Sequence, residues 1–224
     1  KCTASGGGTT TVGAALAIAQ HNTKKSINVT LSKGTFEGLR AIALEDPQGN
    51  KDNEHVTVSI SGGTYTATEY AVFNNYAGTT INISGGKFES TGANGIAVYA
   101  RLGSVDITGG EFINNSNSEA TIHVGCKYAA ENSIAPYLTI SGTNTILKNN
   151  TTGDYPHKSG WKALTVNMAN ELNHRAVTIS GGTFFGQKPE CDDSWTQGNT
   201  NKWFLGDNVE ITGDATNGWK VSSK

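Results

Sequence analysis

Seven short segments along the chain repeat one arrangement of apolar and polar positions. They are VTLSKGTF (29–36), VSISGGTY (58–65), INISGGKF (81–88), VDITGGEF (105–112), LTISGTNTI (138–146), VTISGGTF (177–184) and a last partial copy, VEITGD (209–214). The first and third residues are apolar in every copy: Val29/Leu31, Val58/Ile60, Ile81/Ile83, Val105/Ile107, Leu138/Ile140, Val177/Ile179 and Val209/Ile211. The residue between them is always polar: Thr30, Ser59, Asn82, Asp106, Thr139, Thr178 and Glu210. A period of two turns one face of a strand inward and the other to water. A Gly pair or its remnant then bends the chain, and an aromatic follows at Phe36, Tyr65, Phe88, Phe112 and Phe184.

The copies begin 29, 23, 24, 33, 39 and 32 residues apart. A constant core with variable spacing describes one structural unit per coil, with loops of different length between units. Stacked coils place the aromatics over one another as an internal ladder. A second strand follows each turn: 41–45, 69–73, 95–99, 121–125, 163–167 and 202–206. Its predicted inward columns are Ile42/Tyr70/Ile96/Ile122/Leu164/Trp203 and Leu44/Val72/Val98/Val124/Val166/Leu205. Like strands recurring without hairpin partners favour parallel stacking over an antiparallel meander. At residues 11–24, Val12, Ala15, Leu16 and Ala19 fall at helical spacing behind Thr10 or Thr11 as an N-cap, which predicts a short helix covering the first coil. The expected architecture is all-β: a right-handed parallel β-helix of about seven coils, in one domain spanning 1–224. The helix occupies 11–24, the coils 27–214 and a C-terminal tail 215–224.

Composition narrows the function classes. Charged residues make up 16% of the chain, and Thr, Ser and Asn fill the exposed places instead. The net charge is −2 with the cations scattered, whereas a nucleic-acid protein needs a basic stripe that neutralises several phosphates. No apolar run approaches the roughly 18–20 residues that cross a bilayer, so no membrane insertion is expected. A chain that begins KCTASGGG fits a trimmed product or a piece of a larger multidomain protein. The cysteines Cys2, Cys126 and Cys191 fit one disulfide plus a spare thiol, or three free thiols; their spacing is not that of a zinc site.

The repeated strand–Gly-Gly–aromatic unit resembles the pectin-lyase-like right-handed β-helix superfamily, and most closely the SGGTF-repeat proteins of bacterial cell surfaces. The resemblance spans residues 11–214. It implies a bacterial, secreted or surface-displayed chain, and it is weak for activity because that superfamily holds lyases, hydrolases, tail-spikes and adhesins.

Lyases of this fold gather carboxylates around Ca²⁺ and use a Lys or Arg to take a proton beside a uronate carboxyl. The outward column of the repeat offers only Asp106 and the distant Glu210, too few for the six to eight oxygens calcium takes. Asp192-Asp193 sit in a loop and read as solvated carboxylates. The loop 45–54 gathers Asp46, Asp52 and Glu54, a composition that suits a loosely held Ca²⁺ without the spacing of an EF-hand; a solvated acidic turn is the plainer account. No other cofactor is implied.

The outer face of the second strand is more suggestive. Its predicted columns are Ala43, Ala71, Ala97, His123, Thr165, Phe204 and Glu45, Phe73, Tyr99, Gly125, Asn167, Gly206. Small residues beside Phe73 and Tyr99, with Arg101 and His123 near, describe a flat shelf. Such a shelf stacks against sugar rings, whose faces are apolar and whose hydroxyls need donors and acceptors. The expectation is a non-catalytic adhesive or glycan-binding module, its partner a polysaccharide or a host or cell-surface glycan. The alternative is a polysaccharide lyase or glycoside hydrolase acting on acidic polysaccharide.

Overall fold

A computed structural model gives the fold. It describes residues 2–3, 13–19, 25–45, 55–116, 120–125, 137–150, 164–167, 177–186, 188–189 and 205–224, with backbone alone at 2–3 and 164–167. Those residues form one sheet of 15 strands and contain no helix. The first five are β1 (Cys2–Thr3), β2 (Ala14–Ala19), β3 (Ile27–Leu31), β4 (Thr35–Glu45) and β5 (Val56–Asn75). The middle of the chain supplies β6 (Thr79–Ser90), β7 (Ile96–Ala100), β8 (Ser104–Asn114), β9 (Ile122–Gly125) and β10 (Tyr137–Asn149). The last are β11 (Leu164–Asn167), β12 (Val177–Ile179), β13 (Gly182–Phe185), β14 (Val209–Asp214) and β15 (Gly218–Ser223).

The repeat sets the stack. Val29 pairs in parallel with Val58, Val58 with Ile81, Ile81 with Val105, Val105 with Leu138 and Leu138 with Val177. The third residues follow the same register from Leu31 through Ile60, Ile83, Ile107 and Ile140 to Ile179. The chain is therefore a parallel β-solenoid whose core is the column of these side chains, buried from Val58 to Ile179. Each fully buried large side chain gains roughly 1.5–3 kcal/mol over exposure, before conformational entropy is subtracted. Six strand copies bound the turns between them, and the last of those turns lies mostly outside the described residues. About four turns are thus in view, against the seven expected.

The Gly pair has a distinct reason at each position. Gly86 takes φ of 110°, which a side chain resists. Gly85 has ordinary backbone angles, but a Cβ there would lie 2.6 Å from the carbonyl oxygen of Ser61 on the preceding coil. The first Gly thus lets neighbouring turns approach, and the second lets the chain bend. Beyond the turn the aromatics stack inside the coils: Phe36–Tyr65 at 5.0 Å, Tyr65–Phe88 at 4.7 Å and Phe88–Phe112 at 4.9 Å. These distances reproduce the spacing of paired strands, about 4.7–4.9 Å. In the fifth copy, which lacks an aromatic, Leu147 pairs with both Phe112 and Phe184 and fills the column. The Tyr65 hydroxyl donates to the Gly62 carbonyl at 2.9 Å, and burial pushes its pKa up to about 12.

Buried asparagines hold the passages between coils. The Asn74 amide donates to the Leu102 carbonyl (2.6 Å) and its Oδ1 accepts from Thr79 Oγ1 (2.7 Å). Asn114 donates to the Ala120 carbonyl (2.9 Å) and accepts from the Ser116 N–H (2.8 Å). Both satisfy backbone groups that the turn takes away from the ladder.

Four sequence expectations need correction. Residues 14–19 of the expected capping helix form β2, which pairs in parallel with β4 through Leu16–Ile42 and Ile18–Leu44. Residues 11–12 and 20–24 of that helix lie outside the described residues. An apolar run this short fits a helix turn or a strand equally well, and the open ladder of β4 decides for the strand. The seventh copy, Val209–Asp214, does not stack in parallel. It pairs antiparallel with β15, and β15 pairs antiparallel with β13. Residues 215–224, expected as a tail, supply that strand. The Asp214 carboxylate accepts from the N–H groups of Thr216 (2.8 Å) and Asn217 (2.7 Å), closing the hairpin and holding its own pKa below the usual value. Finally, the second-strand columns shift. Ile42 pairs with Val72, not Tyr70, and Val98 pairs with Ile122, not Val124. Leu205 bridges Ile179 of the first strand instead of joining the second-strand column.

Candidate functional site

The corrected register builds a site that the sequence columns had divided. Ala17 pairs with Ala43, Ala43 with Phe73, Phe73 with Tyr99, Tyr99 with His123 and His123 with Thr165. Phe73, Tyr99 and His123 therefore stand on three successive coils in one column. They alternate along their strands with Val72, Val98, Ile122 and Val124, which belong to the buried core, so the column is on the outer side of the sheet. The preceding outer column holds Arg40, Tyr70 and Ile96, paired in that order.

The rings touch. Phe73 and Tyr99 meet at 5.6 Å with planes at 63°, and Tyr99 and His123 at 4.8 Å and 68°. Tyr70 stacks on Phe73 at 5.2 Å and meets Tyr99 edge-on at 5.3 Å. The Arg40 guanidinium covers the other side of the cluster, 4.6 Å from the Phe73 ring centre and 5.5 Å from that of Tyr70. Its Nη2 pairs with Glu69 at 3.0 Å and its Nη1 lies 3.9 Å from Glu45.

Accessibility rises along the column. Ala43 is fully buried, Phe73 is 3% exposed, and Tyr99 and His123 are half-buried. Phe73 is thus no exposed shelf ring but the support beneath one, which corrects the sequence expectation; its face is taken by Arg40 and Tyr70. Tyr99 and His123 are the rings that reach the surface. Arg101, two residues beyond Tyr99 and half-buried, donates its backbone N–H to the Asn74 carbonyl at 2.9 Å, which fixes the strand end beside the rings. The structure brings Phe73, Tyr99 and His123 together with Arg101 adjacent. The calcium candidates Asp46, Asp52 and Glu54 lie outside the described residues. Among the described residues no three His, Cys, Asp or Glu side chains converge as metal ligands.

Sequence reasoning missed Arg40, Tyr70 and Glu69. Aligned with Ile42, Tyr70 reads as inward, and the repeating second-strand segment starts at Ala41, one residue after Arg40. The β4–β5 offset rises from 29 residues (Gly38–Ala67) to 30 (Arg40–Tyr70), where the Ile42–Tyr70 alignment needs it to fall to 28. Elsewhere, the one strongly exposed large hydrophobic among the described residues is Tyr137, 52% exposed on the polar face of the first strand opposite Ser104. No family model, curated protein or solved structure matches the chain.

Proposed function

We propose that the chain is a non-catalytic, secreted or cell-surface module that binds glycan on the outer ring column, and that its kinship lies with the SGGTF-repeat surface proteins of the pectin-lyase-like superfamily. The observation that carries the reading is the run Phe73–Tyr99–His123, three rings on successive coils with the last two reaching the surface. Coils repeat about every 4.7–4.9 Å, so the two accessible rings span a patch the size of one sugar residue. An aromatic face meets the apolar C–H face of a sugar, while the tyrosine hydroxyl and the imidazole offer donors and acceptors to its hydroxyl groups. Arg40 and Tyr70 hold Phe73 beneath them, so the rings need no ordering when the ligand arrives.

A glycan array with the whole chain, run beside a turnover assay on uronate polysaccharide with and without calcium, tests the reading. The expected result is binding without turnover, with the bound glycans lost in Tyr99→Ala. Unsaturated or hydrolysed product would replace the reading with an enzymatic one.

A further inference from the structure

We infer that Asn94 is a site of spontaneous modification, converted to aspartate and isoaspartate by attack of the Gly95 nitrogen, and that the fold directs this reaction to Asn94 rather than to Asn217. The chain holds two Asn-Gly pairs, Asn94-Gly95 and Asn217-Gly218. In such a pair the glycine nitrogen gives its proton to a base and attacks the asparagine Cγ, because no glycine side chain blocks the approach. The Cγ–Nδ2 bond breaks, ammonia leaves, and a five-membered imide remains. Water then opens the imide at either carbonyl. Opening at Cγ leaves aspartate; opening at the backbone carbonyl leaves isoaspartate, whose main chain is one carbon longer. The balance is one water in and one ammonia out, with no oxidant or reductant.

Packing keeps glycine in both pairs. A Cβ on Gly95 would lie 2.0 Å from Oγ of the fully buried Ser90 and 2.9 Å from the Thr68 carbonyl oxygen on the preceding coil. Gly218 takes φ of 84°, and a Cβ there would lie 2.7 Å from Thr183 Cγ2. The two pairs differ in the asparagine. Asn217 is clamped: its Nδ2 donates to Asp214 Oδ1 at 3.2 Å and Oδ2 at 3.0 Å, and its N–H donates to Oδ1 at 2.7 Å. Swinging its Cγ onto the Gly218 nitrogen breaks the side-chain bonds. It also gathers negative charge on that nitrogen beside a carboxylate. Asn94 is exposed in the turn at 91–95, and its carboxamide makes no hydrogen bond among the described residues. The Gly95 N–H donates to the Gly92 carbonyl at 3.0 Å, a turn bond outside the strand ladders, of the kind that opens locally while the rest of the fold holds.

The products alter a precise place. Residues 91–95 carry no charged side chain, and either product puts a carboxylate there. Isoaspartate also inserts a backbone carbon directly before Gly95, which is wedged against Ser90 and Thr68. Strand β7 begins at Ile96, so the change falls at the entry of the strand that carries Tyr99, whatever that ring binds.

The test ages the whole chain in mildly alkaline buffer at body temperature, folded and in urea. Peptide mapping by mass spectrometry then follows both pairs, with fragmentation that separates aspartate from isoaspartate. In the folded chain Asn94 should convert at least about tenfold faster than Asn217, the factor that the loss of hydrogen bonds to a charged group gives. In urea the two rates should draw together. Asp214→Ala, with unaltered circular dichroism, should speed conversion of Asn217 in the folded chain and leave Asn94 as it was. A folded-state rate at Asn94 no greater than at Asn217, or a gap of the same size in urea, would overturn the inference, since the fold would then not choose the site.

Discussion

Inside the coils, Phe36, Tyr65, Phe88 and Phe112 lie ring over ring at 4.7–5.0 Å with planes within 6–8° of parallel. On the outer face, Phe73, Tyr99 and His123 meet edge to face at 63° and 68°, although the same parallel register spaces both columns. The register fixes only where the Cα atoms are. Inside, close packing on every side leaves each ring one orientation, and the strand spacing matches the thickness of a stacked ring. Outside, where only Tyr99 and His123 of the column reach the surface, those two rings take the edge-on geometry that quadrupoles favour. Tyr70 stacks on the buried Phe73, and the Arg40 guanidinium lies over it. The inner column is built for stability and the outer one for presentation.

Substitutions can break that contrast. The most damaging is expected to be Ile107→Asp, which puts a carboxylate into the fully buried first-strand column. A buried unpaired charge costs more than such a domain can lose, so the variant should show no cooperative unfolding transition. Phe88→Ala empties the middle of the inner ladder and should lower stability by about 3–5 kcal/mol in urea denaturation. Were Tyr99→Ala to cost as much, the two columns would not differ in role.

Tyr65→Phe is a finer probe, because phenylalanine already occupies the neighbouring rungs. It removes one hydrogen bond and should cost about 0.5–1.5 kcal/mol at neutral pH. It should also flatten the alkaline limb of the stability profile. Burial raises the folded-state pKa of Tyr65 from 10.0 to about 12, so its contribution is fully present below 10.0 and is lost as pH climbs through the folded value. Urea midpoints of the two proteins should therefore converge with rising pH in that window; parallel curves would show that the phenol is not buried as described. The smallest effect on stability belongs to Tyr99→Ala, under about 1 kcal/mol, while glycan binding is lost. That separation of stability from binding is the sharpest form of the comparison.

The first strand was legible in six of its seven copies. Four of them carry Gly-Gly and five an aromatic at fixed offsets, and those landmarks admit a single alignment, from Val29–Val58 to Leu138–Val177, whereas the seventh, with neither, pairs antiparallel. The second strand has no such landmark. A run of alternating small and apolar residues can be slid by two without changing which face is apolar, so pattern alone could not choose Val98–Ile122 over Val98–Val124. The slip hid part of the candidate site: Tyr99 and His123 were read into different columns and stand in one. Arg40 lay further out of reach, since nothing in GLRAIALE announces that its guanidinium lies over a ring that follows it by 33 residues. The strand at 14–19 was lost to a spacing that helix and strand share.

The antiparallel turn at the end of the chain has a consequence for molecules that meet in solution. A parallel last coil would offer the next molecule the same bare ladder that each coil offers its neighbour, which is the template on which cross-β polymers grow. Here β14 runs in a hairpin with β15, and its edge carries Glu210 in the outward row. The reversal breaks the like-on-like pairing that runs from Val29 to Val177, so this edge does not repeat the template of the coils before it.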